Sequence, residues 1–243
     1  NIIKLSYRKN YIWGEIKLSF KDYDIQISYR SVGEVGISDI INPLLSVTKI
    51  YKRSVGFFDS SSLSFISPGL IDLANNNGKI NLITSPKLSE RDVEAISLGY
   101  KLKEQIYKNR FIEEIKNAIE LIDDKNLSLI VNLIASDVFS IKIVTKQGYG
   151  IYHDKLAILE DFDENKVVFT GSNNETASGY GAHGNGNYEK VRTFKSWVDI
   201  EGRVNDEELE FNEILSRSEQ FLNLTELLSA SNGYALNLIN PNW

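Results

Sequence analysis

The 243-residue chain contains no cysteine and no methionine, and only two histidines. Without cysteine, disulfides and thiolate-bound metal are excluded. No apolar run approaches the roughly 20 residues that a membrane helix needs. The N-terminus also lacks the basic-then-apolar pattern of a signal peptide. These absences fit a cytoplasmic protein with no membrane association. Because methionine is missing even at position 1, the sequence is expected to be part of a longer polypeptide.

Charge of one sign is not in large excess, with 27 Lys and Arg against 33 Asp and Glu and a net charge of −6. That balance argues against a broad, non-specific nucleic-acid coat. A local basic cleft remains compatible with it, because binding depends on where charge sits. Lys101, Lys103, Lys108 and Arg110 cluster in sequence, as do Lys190, Arg192 and Lys195. Such runs are more often the solvated face of a helix or strand than a contact surface. The 42% hydrophobic and 25% charged content is that of a globular α/β protein able to bury a full core.

The patterning gives short β-like stretches at 2–7, 11–20 and 24–29, a helix at 38–46 and a strand at 53–58. Leu63, Ile66, Leu70 and Leu73 recur at helical spacing, and the run Asn75-Asn76-Asn77-Gly78 stops that helix. A strand at 79–84 follows, which makes a strand–helix–strand unit and predicts parallel pairing. Further helices are expected from Ser89, whose side chain caps a first turn holding Glu90 and Asp92, through 95–122 and at 127–135. A strand at 139–145 comes next. An amphipathic helix opens at Asp206 and carries Phe211, Ile214, Leu215 and Phe221. The fold class implied is α/β, with a mixed, largely parallel sheet flanked by helices. A small β hairpin or meander at 1–37 is expected as an appendage, 38–228 as the main domain, and 229–243 as a linker or the start of a following domain.

The chemistry concentrates in one region. Residues 152–160 read as a strand, so His153 and Lys155 project from the same face, about 7 Å apart. A polar turn at 161–165 and a returning strand at 166–170 then deliver Gly171-Ser172-Asn173-Asn174 beside His153. An imidazole can attack phosphorus when neutral or protonate a leaving oxygen when charged. The Lys155 ammonium offsets the charge on non-bridging phosphate oxygens. The Ser172 hydroxyl and Asn174 amide add hydrogen bonds to the same oxygens. Gly171 permits close backbone approach. Asp161, Asp163 and Glu164 resemble a fragment of a calcium loop, but the repeat is too short, and a hairpin turn is the better reading. No other metal-ligand spacing is found. His183, within a glycine-rich stretch, reads as a surface residue.

These residues carry a family resemblance. His153-x-Lys155 followed by Gly171-Ser172-x-Asn174 is similar to the HxK…GSxN signature of the phospholipase D superfamily. Asn187-Tyr188-Glu189, followed by Val191 and Phe194, looks like the N-x-E and apolar strand of its single-motif nucleases. The resemblance covers roughly 46–221 and implies a metal-independent phosphodiesterase or nuclease acting on DNA, or on RNA, without a cofactor. It implies that Glu189 orients His153, and that Glu160 occupies the family's structural aspartate position, five residues after the lysine. A single motif copy implies a homodimer that completes the active site, since the reaction needs a nucleophile and an acid on opposite sides of phosphorus. The run at 171–179 is similar to domains attached to bacterial restriction enzymes and helicase-linked phage-defence proteins. Two other readings stay open: an inactive nucleic-acid-binding or dimerisation module beside a helicase, and a phospholipid-processing enzyme.

Overall fold

The computed structural model describes residues 18–30, 37–55, 63–85, 109–110, 112–113, 124–144, 154–171, 190–217 and 219–222. Eight strands form one mixed sheet: β1 (Ser28–Arg30), β2 (Thr48–Val55), β3 (Lys79–Thr84), β4 (Phe139–Ile143), β5 (Lys155–Asp161), β6 (Lys166–Gly171), β7 (Lys190–Lys195) and β8 (Glu219–Leu222). Their spatial order is β1-β7-β6-β5-β2-β3-β4-β8. The longer described helices are α1 (Ile37–Leu45), α2 (Leu63–Asn75), α3 (Asp124–Ala135) and α4 (Arg203–Arg217), and residues 109–110 and 112–113 are helical too.

The mixed sheet expected from the sequence is present, but its balance differs. Parallel pairing is confined to β2–β3 and β3–β4. The five other pairs, including β2–β5, β5–β6 and β6–β7, are antiparallel. The cause is the connections. The chain returns from β2 to β3 through a helix, which permits parallel strands, whereas a short turn joins β5 to β6 and forces them antiparallel. The parallel unit was legible in the sequence, and it is a minority of the sheet.

The sheet is covered on both faces. Ile41, Leu44, Leu45, Ile66, Leu70, Leu73, Leu129 and Leu133 of α1–α3 pack on one face, here called inner, against Tyr51, Leu82, Leu159 and Phe169. On α1, the buried Ile37, Ile41, Leu44 and Leu45 fall on one helical stripe. Val204 and Phe211 of α4 pack on the outer face against Ile83, Leu156, Ile158 and Val168. Coverage on both sides explains why β5 reads Leu156-Ala157-Ile158-Leu159 without alternation. Gly69 lies where α1 and α2 meet: its N–H donates to Asn42 Oδ1 at 3.0 Å, and a Cβ there would come within 2.7 Å of Leu45 Cβ.

Both helices that feed the parallel strands stop in the same way. Gly78 N–H donates to Leu73 O at 2.8 Å and Asn77 N–H to Ala74 O at 2.9 Å, with Asn77 at φ 60°. After α3, Val138 N–H donates to Leu133 O and Asp137 N–H to Ile134 O, with Asp137 at φ 57°. This double bond satisfies the last helical carbonyls and turns the chain into β3 and β4. The stop signal was correctly placed at 75–78, but Asn77 takes the left-handed position, not Gly78.

Several element expectations shift. β2 starts at Thr48, five residues before the expected strand at 53–58, whose last residues lie outside those described. Phe20 begins a 3-10 turn, Phe20–Asp22, capped by Ser19, and does not end a strand. The stretch at 24–29 shrinks to β1, which forms the sheet edge beside β7 through Ser28↔Arg192 and Arg30↔Lys190. Phe221 belongs to β8 and not to the preceding helix. The expected stretch at 2–7, most of 11–20, the cap at Ser89, nearly all of 95–122 and the tail at 229–243 lie outside the described residues.

Candidate active site

The strand register brings one set of strand ends to a common edge. Val55 at the end of β2 pairs with Lys155 at the start of β5, and with Thr84 at the end of β3. Leu156 pairs with Thr170, and Gly171, next along β6, pairs with Val191 at the start of β7. This edge therefore collects the carboxyl ends of the parallel strands, the place where open α/β sheets bind ligands. Buried polar side chains gather there: Ser54, Thr84, Ser85 and Lys155. Ser85 Oγ is buried without a hydrogen-bond partner.

Of the residues named from the sequence, Lys155, Glu160 and Gly171 are described. His153, Ser172, Asn174, Glu189 and His183 lie outside the described residues. Lys155 is 8% exposed and on the inner face, which it shares with Ala157 and Leu159 by strand alternation. Its N–H donates to Asp154 Oδ1 at 2.8 Å. Gly171 has a different reason for being glycine than approach to a phosphate alone. A Cβ at this position would lie 2.2 Å from Lys190 O and 3.0 Å from Val191 Cα, so β7 itself requires its absence.

Glu160 and Asp161 divide two tasks. Glu160 faces outward, 3.6 Å from Lys166 Nζ and 3.9 Å from Lys49 Nζ. Lys166 is also paired with Glu208 of α4, and Lys52 Nζ reaches Glu208 Oε1 at 2.6 Å and Asn212 Oδ1 at 3.1 Å. Burial alone would raise the Glu208 pKa, but hydrogen bonds and charge from Lys166 and Lys52 hold it below the usual glutamate range. Burial likewise opposes the charge on Lys166, while Glu208 and then Glu160 raise its pKa above the ordinary lysine value. The network clamps α4 to the sheet.

Asp161 is the buried carboxylate at the other end of β5. Its Oδ1 accepts from Asp163 N–H and Asn165 N–H, both at 2.9 Å. Its Oδ2 accepts from Phe20 N–H at 2.8 Å and Asn165 Nδ2 at 2.9 Å. With Glu164 N–H donating to Asp161 O, and Glu164 at φ 63°, this is an ordinary hairpin turn, as the sequence suggested. Among the described residues, no group of three or more His, Asp or Glu side chains is placed to hold a metal ion.

Sequence reasoning passed over Arg53. It lies on β2 between the buried Tyr51 and Val55, shares their inner face by alternation, and is 3% exposed. The polar triplet Lys52-Arg53-Ser54 hides it, although the apolar residues two positions to either side mark it as inward-facing. On α4, Glu207 has its pKa raised by burial and then by the Asp154, Glu210 and Asp206 carboxylates. Asp154, which precedes Lys155, is thus electrostatically coupled to α4.

The architecture is the phospholipase D-like fold. Among solved structures, phosphatidylserine synthase of Haemophilus influenzae matches at a TM-score of 0.52 and 14% identity, over 87% of this chain and 42% of its own. NucT from Helicobacter pylori matches at 0.42 and 15% identity, over 75% of this chain and 89% of its own. The yeast tyrosyl-DNA phosphodiesterase matches at 0.38 and 13% identity, over 69% and 31%. What this chain shares with the synthase at that identity is the fold, and it spans less than half the synthase's length. No family model and no curated protein matches the sequence. No described helix is long and apolar enough to cross a membrane.

Proposed function

We propose that the chain is a metal-independent phosphodiesterase that cuts DNA, the nuclease domain of a larger restriction or phage-defence protein. The observation that carries the reading is the common edge occupied by Lys155, Gly171 and Lys190. His153 is two residues before Lys155, Ser172 and Asn174 follow Gly171 by one and three, and Glu189 precedes Lys190 by one. Consecutive Cα atoms are about 3.8 Å apart, so chain connectivity tethers all four to that edge.

In this reading His153 attacks phosphorus, and a P–N bond forms as the P–O bond to the leaving strand breaks. The partner subunit's His153 protonates the departing oxygen. Water then attacks the phosphohistidine, gives its proton to that second imidazole, and releases the phosphate end, which restores both histidines. Lys155, Ser172 and Asn174 hold the non-bridging oxygens, and Glu189 fixes the His153 tautomer. One motif copy per chain makes the active form a symmetric homodimer. Residues 38–228 form the catalytic unit. Residues 1–37 are an appendage docked on it through β1 and Phe20, and 229–243 lead to further sequence, such as a helicase. The protein works in the cytoplasm.

The test is cleavage of DNA by the purified protein with and without EDTA, alongside His153→Ala. Cleavage should persist in EDTA and vanish in the variant. Loss of cleavage in EDTA would refute the mechanism. DNA binding with no cleavage by the native chain would instead identify a docking module.

A further inference from the structure

The middle residue of β1 decides where its last residue points. Tyr29 is 2% exposed, its ring centroid lies 6.1 Å from that of Phe169, and its hydroxyl accepts from Gln26 N–H at 3.0 Å. With Tyr29 held on the inner face, alternation turns Ser28 and Arg30 to the outer face. Across the pairing with β7, Tyr29 meets the buried Val191, Arg30 meets Lys190 and Ser28 meets Arg192. Arg30, Lys190 and Arg192 therefore share one face, with Cα atoms about 5–8 Å apart.

This patch adjoins the common edge of strand ends. Lys190 is the first residue of β7 and Arg30 the last of β1, and Val191 pairs with Gly171, which precedes Ser172. The inner face is closed here by Tyr29 and Val191, whereas Arg30 and Arg192 are exposed. These two also differ from the other surface arginines. Arg110, Arg203 and Arg217 form ion pairs with Glu113, Glu201 and Glu213 respectively. Lys195, from the same basic run as Arg192, donates to Ile25 O at 3.0 Å. Arg30 and Arg192 have no ion-pair partner among the described residues. In a chain of net charge −6, two neighbouring exposed guanidiniums without a carboxylate mark a place for an anion. The other flank of the edge is acidic: burial, and then the nearby Asp154 carboxylate, raise the pKa of Glu207 on α4. A polyanion leaving the edge is repelled on the β5–α4 side and attracted on the β7–β1 side.

We propose that Arg30 and Arg192 bind the sugar–phosphate backbone of DNA, as a track that carries the strand from the common edge over the outer face of β7 and β1. This rests on the phosphodiesterase reading of that edge and adds the path its substrate takes. It also gives the N-terminal segment a function, since docking through β1 places an arginine beside the site. Guanidiniums grip phosphates whatever the base, so the track confers affinity without sequence preference.

The test measures binding of a short DNA duplex by fluorescence anisotropy across a salt series, with the full chain in a His153→Ala background so that the duplex stays intact. Arg30→Gln, Arg192→Gln and the double variant are compared with Arg30→Lys, Arg192→Lys and Lys79→Gln. Lys79 is an exposed cation at the amino end of β3, on the opposite edge. Each phosphate contact contributes about 0.9 to the slope of log affinity against log salt. The double Gln variant should lose about 1.8 of that slope and bind roughly 30-fold more weakly, or worse, in about 0.1 M salt. The Lys variants and Lys79→Gln should keep the native slope. With His153 restored, the double variant should cut DNA with lower kcat/KM but hydrolyse bis(p-nitrophenyl) phosphate, too small to reach the track, at the native rate. An unchanged slope in the double variant, or an equal loss in Lys79→Gln, would overturn the track and leave the nuclease reading standing. Arginine-dependent DNA binding by a native chain that cuts neither substrate would keep the track and refute the nuclease reading. If sedimentation shows the double variant splitting a native dimer with the salt slope unchanged, the arginines join two copies of the chain and the proposal falls.

Discussion

The two ends of β5 use similar polar groups to opposite ends. At its carboxyl end, Asp161 is surrounded by donors: three backbone N–H groups and the Asn165 amide take up its lone pairs. At its amino end, Lys155, Ser54, Thr84 and Ser85 are buried beside a sheet edge, and Ser85 Oγ has no partner. The first end resembles a solved problem, with each group satisfied within the chain. The second holds one hydroxyl, Ser85 Oγ, whose unpaired burial costs stability, the pattern expected where a ligand is to be met.

The sharpest way to break that comparison is Lys155→Met. If the amino end is functional, cleavage should fall by roughly a thousandfold, while the melting temperature falls by less than it does in Asp161→Ala. A large drop in melting temperature would place Lys155 with the structural groups instead. At the other end, Asp161→Ala strands several buried donors and should cost about 3 kcal/mol or more, lowering the melting temperature by roughly 6–12 °C. Asp161→Asn, which keeps one acceptor oxygen, should fall between the two.

A smaller effect belongs to the outer-face network. Glu208→Gln should cost about 1–2 kcal/mol, allowing for partial exposure of its partners. Because the folded-state pKa of Glu208 is depressed, its contribution is present above the ordinary value of 4.5 and is lost as pH falls through the lower folded value. Thermal melts of native and Glu208→Gln protein should therefore converge in acid. A constant gap down to the lowest pH would show that the carboxylate charge is not what clamps α4. The smallest change, Ser85→Ala, removes an unpaired buried hydroxyl and should stabilise by about 1 kcal/mol, a rise of roughly 2–4 °C. A loss of stability would mean that the hydroxyl has a partner and that the edge is better satisfied than described.

Much of this was legible in the sequence where the signal is local. The hairpin of β5 and β6 follows from two apolar runs separated by a short polar turn, and the end of α2 follows from consecutive asparagines. The expected first strand of that hairpin starts at 152, whereas β5 begins at Lys155, so Lys155 sits at the strand end and not within the strand. Non-local facts were not legible. Nothing within Ser28-Tyr29-Arg30 says that it pairs with residues 190–192, and the antiparallel pairing of β2 with β5 depends on which strand ends up beside which. Glu160 and Asp161 fall on opposite faces by alternation, but nothing local says that Asp161 would be the one tied to Phe20. Arg53 was missed because a polar triplet looks solvated until the sheet is known to be covered on both sides.

The bond from Phe20 N–H to Asp161 spans 141 positions of chain. β1 and β7 are separated by a still longer stretch, whereas the β5–β6 hairpin closes over a few residues. Closing long loops is slow because their entropy is lost before contacts repay it. The hairpin that presents Lys155 and Gly171 is therefore expected to form early, and the N-terminal segment to close over Asp161 late. A ribosome releasing the chain from its N-terminus would hold residues 18–30 unpaired until β7 emerged, which makes the first-made of the described strands the last to find its place.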